Sequence, residues 1–342
     1  MTTDRFAVTL AVDQNLFAPA VFTAHSVLSS VPRHPFDLVI AVPPNAVARS
    51  WIDYVEKNVG ARVVEFSFER HLSYGRAINR YPPSAFYRYA FDRFLEGAYQ
   101  KVIFLDADIR VDGDISTLFG LDFGGQPFAA VPDGVIHSDA VGQWQPYLAG
   151  LGLDASISYA NTGVLVIDPA SWAKHDLSGR VLDYVGKHAD ACFLADQSAL
   201  NAIVRGDFIK LSPVWNMLSV LWFRSRLAEL VSPVVFHYSG AFKPWRPLTW
   251  PYDRAVSDLY REFFRDAPWP DAVTWSGSVA DWRTFLRARY RAALRRLRGK
   301  EPSTLMSAQT MLAFRHYLQT MPFSDIQQGL AVYRPDGSLH AV

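Results

Sequence analysis

Two aspartates, one residue apart, follow an apolar run in the middle of the chain. The segment KVIFL (101–105) leads directly into Asp106 and Asp108. Two carboxylates this close repel each other unless a cation lies between them. An oxygen-rich pair of this kind suits Mg²⁺ or Mn²⁺, and in such a site the metal usually holds a diphosphate.

Three alternatives to a diphosphate-binding metal site exist for this pair. A calcium loop needs a glycine at its sixth and a glutamate at its twelfth position; counted from Asp106 these are Val111 and Thr117, which excludes it. A phosphatase with an aspartate nucleophile also uses Asp-x-Asp after a strand, but it continues with a Gly/Thr-type turn rather than Ile109-Arg110. The third alternative is a loop-capping role without chemistry, which a lone Asp-x-Asp would favour.

A second polar cluster later in the chain complements the aspartates. The segment VVFHYSGAFKPW (234–245) is another apolar run that ends in polar residues, with His237 at its tip. An imidazole as third ligand tilts the preference towards Mn²⁺ over Mg²⁺. Lys243 would contact the diphosphate, and Gly240 would let the backbone approach the phosphates closely. A lone histidine after a strand is more often structural, so this interpretation depends on the two clusters together.

The elements that must position these residues alternate between strand and helix patterns. Apolar runs predict strands at 5–12, 36–42, 61–66, 101–107, 127–132, 162–168, 207–211 and 233–238. Helices are predicted at 17–31, 46–58, 84–95, 176–188 and 196–204. This order predicts an α/β fold, a parallel or mixed sheet with helices on both faces. Ligands of such sheets bind beyond the carboxyl ends of the strands.

Composition limits the class of protein. The chain has 342 residues, of which 50% are hydrophobic, and a net charge of +1, so a nucleic-acid partner is not expected. Cys192 is the only cysteine, which excludes an internal disulfide. Neither a run of about 18 apolar residues nor a signal-peptide pattern occurs. We therefore expect a cytoplasmic protein.

The alternation stops near residue 250 and a basic segment follows. We expect residues 1–250 to form the catalytic domain and residues 251–342 a small helical segment. Residues 281–300 hold eight Arg or Lys against one Asp. An apolar stripe at helical spacing comprises Trp282, Phe285, Leu286, Tyr290, Ala293, Leu294 and Leu297. Either this stripe packs on the main domain, or the helix lies on anionic lipid at the inner membrane face.

Seven segments, in order, resemble one family. They are AVDQN (11–15), YRYAF (87–91), FLDADI (104–109), NTGVLVID (161–168), ADQSALN (195–201), WNM (215–217) and HYSGAFKPW (237–245). With them the chain resembles, from about residue 5 to 250, the family 8 glycosyltransferases, which include glycogenin and bacterial lipopolysaccharide galactosyl- and glucosyltransferases. The resemblance implies the GT-A fold, one nucleotide-binding α/β domain around a mixed sheet.

The resemblance also implies a UDP-sugar site. Metal ligands for Mn²⁺, with Mg²⁺ as the alternative, would be Asp106, Asp108 and His237, with Ala107 between the aspartates. Contacts to the nucleotide would come from Ala11, Asp13, Asn15, Arg88, Gly240 and Lys243. Contacts to the sugar would come from Asn161, Gly163, Asp196 and Gln197. Catalytic roles would fall to Gln197, Asp196 and Arg88.

The activity implied is retaining transfer of glucose or galactose from a UDP-sugar to a glycan or glycolipid, such as lipopolysaccharide core. A glycogenin-like enzyme that glycosylates itself and a non-catalytic UDP-sugar-binding protein are the alternatives. Two departures from the family pattern matter. Gln14 stands where members often have a second acid, which would alter recognition of the base. Ser198 stands where some relatives have an acid, which removes one candidate nucleophile.

Overall fold

The computed structural model describes most of the chain. The described residues are 5–31, 33–72, 81–96, 99–137, 139, 142–222, 231–240, 243–245, 254–269, 282–283, 286–287, 290, 293–294, 297, 308–333 and 339–341. The strands are β1 (Phe6–Ala11), β2 (Phe36–Val42), β3 (Arg62–Glu65), β4 (Lys101–Leu105), β5 (Ile109–Val111), β6 (Phe128–Pro132), β7 (Ala160–Ile167), β8 (Ile209–Lys210), β9 (Met217–Leu218), β10 (Val235–His237), β11 (Ala331–Tyr333) and β12 (Leu339–Ala341).

The helices connect these strands and cover the sheet. The α-helices are α1 (Phe17–Ser30), α2 (Arg49–Tyr54), α3 (Phe91–Phe94), α4 (Gly134–His137), α5 (Gln145–Gly150), α6 (Pro169–Lys174), α7 (Leu177–His188), α8 (Ala195–Val204), α9 (Ser219–Trp222), α10 (Arg254–Phe264), α11 (Ala308–Thr320) and α12 (Ser324–Gln327). A π-helical turn at Val55–Val59 extends α2, and 3-10 helices occupy Phe68–Arg70, Pro83–Ala90, Ile115–Gly120, Ala189–Ala191 and Pro213–Trp215.

A seven-stranded mixed sheet in the order β3-β2-β1-β4-β7-β6-β8 forms the centre of the molecule. Only β7 runs against its neighbours: it is antiparallel to β4 and β6, whereas the other pairs are parallel. The carboxyl ends of β1, β4 and β6 therefore meet at one edge, together with the amino end of β7. The residues that follow or begin these strands are Asp13, Asp106, Asp133 and Asn161.

Both faces of this sheet are buried. Along β1, Val8 packs into the core layer beneath α1, whereas Ala7 packs into the layer beneath α7 and α8. Burial on both faces explains why the central strands are nearly continuous apolar runs rather than alternating patterns. These runs are what made the strands predictable from the sequence.

A second, three-stranded sheet in the order β5-β10-β9 stands beside the first. β10 is antiparallel to β5 and parallel to β9. The short strands β5 and β9 were not predicted, whereas the equally short β8 and β10 were, because each of these two lies within a longer apolar run. The predicted helix at 84–95 is mostly 3-10 helix, at Pro83–Ala90, and becomes α-helical only at Phe91–Phe94.

Residues beyond position 250 join the main core. Tyr260 stacks on Phe22 of α1 with ring centroids 3.8 Å apart. Phe314 and Tyr317 of α11 are buried in the same core layer, and the Tyr317 hydroxyl donates to the Pro132 carbonyl (3.1 Å). The domain boundary near 250 stays a prediction. Within the described parts of the chain, no helix has the length and apolar character needed to cross a membrane.

Candidate active site

Asp106, Asp108 and His237 come together at the sheet edge. One potential ligand atom from each residue lies within 4.8 Å of the others. The His237 Nε2 atom is 3.3 Å from Asp108 Oδ1 and 3.9 Å from Asp106 Oδ2. Two carboxylates and one imidazole nitrogen form a donor set that fits Mn²⁺, and Mg²⁺ less well.

Strand pairing between β5 and β10 brings these ligands together. β5 begins directly after Asp108, and His237 at the end of β10 lies opposite Ile109. The Tyr238 amide then donates to the Asp108 carbonyl (2.8 Å). The histidine is thus placed by the strand that continues from the aspartates, although 129 positions separate the two in sequence (237 minus 108).

Helix α1 supports the aspartate turn from behind. The buried Thr23 hydroxyl lies 3.0 Å from the Ala107 carbonyl oxygen and 2.7 Å from that of Ile109. Ser26 accepts the Val111 amide (3.0 Å). Sequence reasoning missed these residues, because a hydroxyl on a buried helix face reveals its partner only in the folded chain.

Lys243 occupies the site beside Asp108. Its Nζ donates to Asp108 Oδ2 (2.5 Å) and to the Tyr238 carbonyl (2.8 Å). Burial alone would raise the pKa of Asp108, but Lys243 and His237 outweigh it and hold that pKa far below its usual range. Burial likewise opposes the charged form of His237, yet Asp108 and Asp106 raise its pKa above the ordinary value. The site therefore favours an ionised Asp108.

Arg88 links Asp106 to Asp196. Its Nη2 donates to Asp106 Oδ1 (2.6 Å), and its Nη1 donates to the Thr162 carbonyl. Its Nε lies 3.1 Å from Asp196 Oδ2 but makes no hydrogen bond within the described residues. Burial raises the pKa of Asp196, a rise that Arg88 opposes and Asp106 reinforces. The result is a buried cation held between two acids at the base of a pocket.

That pocket has a volume of about 300 Å³. It is lined by Ala11, Val12, Leu16, Pro82, Ser84, Ala85, Arg88, Phe104, Leu105, Asp106, Ala107, Asp108, Asp196 and Lys243. Seven residues singled out in the sequence are therefore among its walls: Ala11, Arg88, Asp106, Ala107, Asp108, Asp196 and Lys243. The lining combines apolar side chains with charged ones, a mixture that suits a ligand with a flat apolar part and a diphosphate.

A layer of buried polar side chains lies behind the charged wall. Asn161 Nδ2 donates to Asp133 Oδ2 (2.8 Å), and Gln197 Nε2 donates to the same oxygen (3.2 Å). Gln197 Oε1 accepts the Thr162 amide (3.2 Å). Asn216 bonds both Asn161 and His237. Both polar atoms of the Gln197 side chain are therefore committed to protein partners.

Sequence reasoning assigned no role to Asp133, and to Asn216 none beyond its place in the segment WNM. A signal for Asp133 was present: it follows the apolar strand β6 just as Asp106 follows β4. No comparable signal marked Asn216, because its role depends on partners 55 and 21 positions away.

Glycine is required at two positions of the site for different structural reasons. A Cβ atom on Gly163 would lie 2.4 Å from His237 Cε1, so the imidazole itself excludes any side chain there. Gly240 has a φ of +97°, which L-residues with a side chain rarely adopt, while the space around it is ordinary.

Asp13 and Asn15 lie at the rim, after the carboxyl end of β1. Asp13 Oδ1 accepts the Asn15 amide (2.9 Å), and its Oδ2 accepts the Ser84 hydroxyl (2.8 Å). The Asn15 side chain is exposed. Neither residue is among those that line the pocket, and their contacts to a nucleotide stay a prediction.

Known proteins resemble this chain in sequence. The profile of the family described as glycosyl transferase family 8 matches residues 7–249. General stress protein A of Bacillus subtilis is 28% identical over 180 residues, which cover 48% of this chain and 60% of that protein. The lipopolysaccharide glucosyltransferase WaaO of Escherichia coli K12 is 26% identical over 197 residues, which cover 55% of this chain and 56% of that protein. The alignments thus leave two fifths or more of these relatives unmatched.

Solved structures resemble it in fold. The galactosyltransferase LgtC, crystallised with donor and acceptor sugar analogs, superposes with a TM-score of 0.62 at 20% identity, over 74% of this chain and 95% of that one. The apo structure of the bifunctional glycosyltransferase WbbM gives 0.63 at 16% identity, over 80% and 51%. At these sequence identities the structural similarity supports a shared fold and nothing further. With the family profile matching well over half of its residues, the chain belongs to glycosyl transferase family 8 and has the GT-A fold.

Proposed function

We propose that the protein transfers glucose or galactose from a UDP-sugar, with retention of configuration and with Mn²⁺, to a bacterial surface glycan such as lipopolysaccharide core. The observation that carries the proposal is the convergence of Asp106, Asp108 and His237 beside a pocket whose lining includes both aspartates, Arg88 and Lys243. Relatives named as lipopolysaccharide glucosyltransferases and the sugar analogs bound to LgtC support the substrate class.

The chain's own cations are arranged for a leaving diphosphate. Breaking the anomeric C–O bond leaves negative charge on UDP, and preorganised cations stabilise that charge as it forms. A divalent metal, when bound by the two aspartates and His237, would supply part of this stabilisation. Lys243 and Arg88 would supply the rest of this stabilisation. Lys243 Nζ already lies beside Asp108, and Arg88 Nη2 lies beside Asp106.

The surroundings of Gln197 favour a front-face route. A double displacement needs a carboxylate nucleophile on the far face of the sugar. Gln197 is an amide, and its oxygen and nitrogen are held by the Thr162 amide and Asp133. The leaving phosphate would then take the proton of the acceptor hydroxyl itself. Asp196 is the nearest acid to Gln197 in sequence, so a covalent sugar trapped on Asp196 would contradict this route.

A donor screen tests the proposal. The protein is incubated with Mn²⁺ and, separately, UDP-glucose, UDP-galactose and their N-acetylated forms, and UDP release is measured with and without lipopolysaccharide core oligosaccharide. We expect slow hydrolysis of one hexose donor, faster release with acceptor, and loss of both with EDTA. Undiminished UDP release in the presence of EDTA would reject the proposed metal dependence. Binding of UDP-sugar without release from any donor would reject the enzyme and favour a binding protein. Intact mass after incubation tests self-glycosylation in the same samples.

We further propose that residues 281–300 contact anionic lipid at the cytoplasmic membrane face. The described residues of this stretch are helical, and the exposed fractions are 50% for Trp282, 58% for Leu286, 65% for Tyr290 and 83% for Leu297. An exposed apolar stripe on a helix rich in arginine is typical of interfacial binding. Phe285 of the predicted stripe lies outside the described residues.

A further inference from the structure

We infer that Asn216 is a positioning residue that fixes the tautomer and direction of the His237 imidazole, so that Nε2 rather than Nδ1 faces the metal position. The inference rests on the proposed metal site and deepens it. Asn216 Oδ1 lies 3.0 Å from His237 Nδ1. An amide oxygen only accepts hydrogen bonds, so Nδ1 must carry a proton, and in the neutral ring Nε2 then holds the lone pair that a metal needs.

The direction of this contact is set by groups that cannot reverse. Asn161 Oδ1 accepts the backbone amide of Gly163 (3.0 Å), a group that can only donate. Asn161 Nδ2 therefore faces the carboxylate of Asp133 (2.8 Å). With Asn161 held at both ends, the group of Asn216 that faces Asn161 Oδ1 must be its Nδ2 (2.8 Å). Its oxygen is left to face His237.

Packing holds the ring as firmly as hydrogen bonding does. A Cβ atom on Gly163 would lie 2.4 Å from Cε1 and 2.5 Å from Nδ1 of His237, so the imidazole lies against the bare backbone of β7. One edge of the ring is thus fixed by Asn216 and one side by Gly163. The remaining ring nitrogen is the one near Asp106 and Asp108.

The same chain of hydrogen bonds reaches the sugar side of the site. Asp133 Oδ2, which anchors Asn161, also accepts from Gln197 Nε2 (3.2 Å). Partners of this kind behind a metal-ligating histidine typically account for about 10- to 100-fold in metal affinity. Asn216 is therefore expected to act on metal binding itself, before any sugar is present.

The test uses Asn216→Leu in the full chain without UDP-sugar. Leucine keeps the volume but removes the acceptor, whereas alanine would leave space next to a cavity of about 10 Å³, where a replacement water can enter. Mn²⁺ affinity is measured by the EPR signal of free Mn²⁺, and pulsed EPR detects coupling of bound Mn²⁺ to the histidine nitrogen. We expect affinity to fall about 10- to 100-fold and the nitrogen coupling to weaken or disappear.

Two further variants separate positioning from general damage. Asn201→Leu removes an equally buried amide, 1% exposed against 2%, which holds the start of β7 through Ala160 but does not touch His237. It should lose stability and keep its Mn²⁺ affinity. Asn216→Asp keeps an acceptor for Nδ1, as in the carboxylate–histidine–metal arrangement, and should retain the nitrogen coupling.

Each outcome decides the inference. Unchanged Mn²⁺ affinity and coupling in a folded Asn216→Leu variant would overturn it, as would an equal loss of affinity in Asn201→Leu. If Asn216→Leu does not fold, Asn216→Val, which is also apolar and offers no acceptor to Nδ1, replaces it in the same assay with the same criteria. Wild-type protein that binds no Mn²⁺ would overturn the inference together with the proposed metal dependence, whereas normal wild-type binding with an unaffected variant would overturn the inference alone.

Discussion

Two regions of the molecule depart in opposite ways from the usual distribution of polar and apolar side chains. Behind the pocket, Asp133, Asn161, Asn216 and His237 are polar yet buried. In the stretch 282–297, Trp282, Leu286, Tyr290 and Leu297 of an apolar stripe are exposed. Buried polar groups are costly unless each is hydrogen-bonded, and exposed apolar groups gain nothing until something covers them.

The two regions differ in the kind of partner that each could bind. The buried layer is closed: its side chains bond one another and nearby backbone amides, and His237 Nε2 lies beside Asp106 and Asp108. The stripe is open and carries its complement, positive charge, on the same helix. On the proposed function, the first would be a preorganised small-molecule site and the second a surface for a broad anionic partner.

Asp106→Asn and Asp108→Asn should each lower metal-dependent turnover about 10³-fold, because several kcal/mol of charge stabilisation would be lost. UDP release at saturating donor is the measurement. Asp112→Asn is the matched control, since Asp112 pairs with Arg110 on the same stretch and lies outside the pocket lining. Near-normal turnover of either site variant in EDTA would reject the metal assignment. His237→Ala should be milder, because water can fill the vacant position.

A combined Trp282→Ser, Leu286→Ser and Tyr290→Ser variant should bind anionic vesicles about 100-fold more weakly, at about 1 kcal/mol lost per side chain. Co-sedimentation with vesicles containing phosphatidylglycerol is the measurement. Substitution is preferable to truncation, because α11 contributes Phe314 and Tyr317 to the core. Leu312→Ser, which changes an exposed leucine of α11, should leave binding unaltered. Equal binding by the triple variant and wild type would reject the lipid contact.

Sequence reasoning predicted the part of the fold that apolar runs encode. Strands from β1 to β7 that lie buried on both faces were predicted within two residues of their ends, with β5 missed. The pairing of β5 with β10 could not be read, although it is what places His237 beside Asp108. Charged candidates were found because acids that follow apolar runs stand out. Asn216, Thr23 and Asp133 were missed as functional residues, because buried hydrogen bonds depend on partners distant in sequence.

A second buried carboxylate tests whether every such group serves the site. Asp325 of α12 accepts the Ser212 amide (2.8 Å), the Ser212 hydroxyl (2.5 Å) and Trp215 Nε1 (3.0 Å), one residue before Asn216. Asp325→Ala should lower the free energy of unfolding by about 3 kcal/mol, since three buried donors lose their acceptor. Urea denaturation measures it. Gln328→Ala, which removes only exposed hydrogen bonds to Asp122, should cost about 0.5 kcal/mol or less.

The Mn²⁺ affinity of Asp325→Ala separates a structural role of Asp325 from a role in the site. If Asp325 is purely structural, Mn²⁺ affinity of folded Asp325→Ala should equal that of wild type, unlike Asn216→Leu. A parallel loss in both variants would mean that the 3-10 helix Pro213–Trp215, rather than the Asn216 side chain, sets the position of His237.

The smallest expected effect is a loss of folding stability at acid pH. His137 of α4 is partly buried, and its Nε2 accepts the Tyr159 amide (3.0 Å), which requires a neutral ring. Burial lowers the pKa of His137 to about 4, against which Asp133 acts weakly. The unfolded chain therefore binds this proton more readily, so stability is lost as pH falls below about 6.5 and continues to fall until about pH 4. Between pH 7 and pH 5 the loss should be about 2 kcal/mol.

Urea denaturation of wild type and His137→Gln at both pH values isolates this contribution, because glutamine offers an acceptor to Tyr159 but does not titrate. The variant should show a pH dependence shallower by about 2 kcal/mol. Identical dependences would mean that His137 is protonated in the folded protein as easily as in the unfolded one. Since α4 begins directly after Asp133, the residue that anchors Asn161 and Gln197, a confirmed loss would place the acid-sensitive point of the fold at the base of the buried polar layer rather than in the exposed stripe.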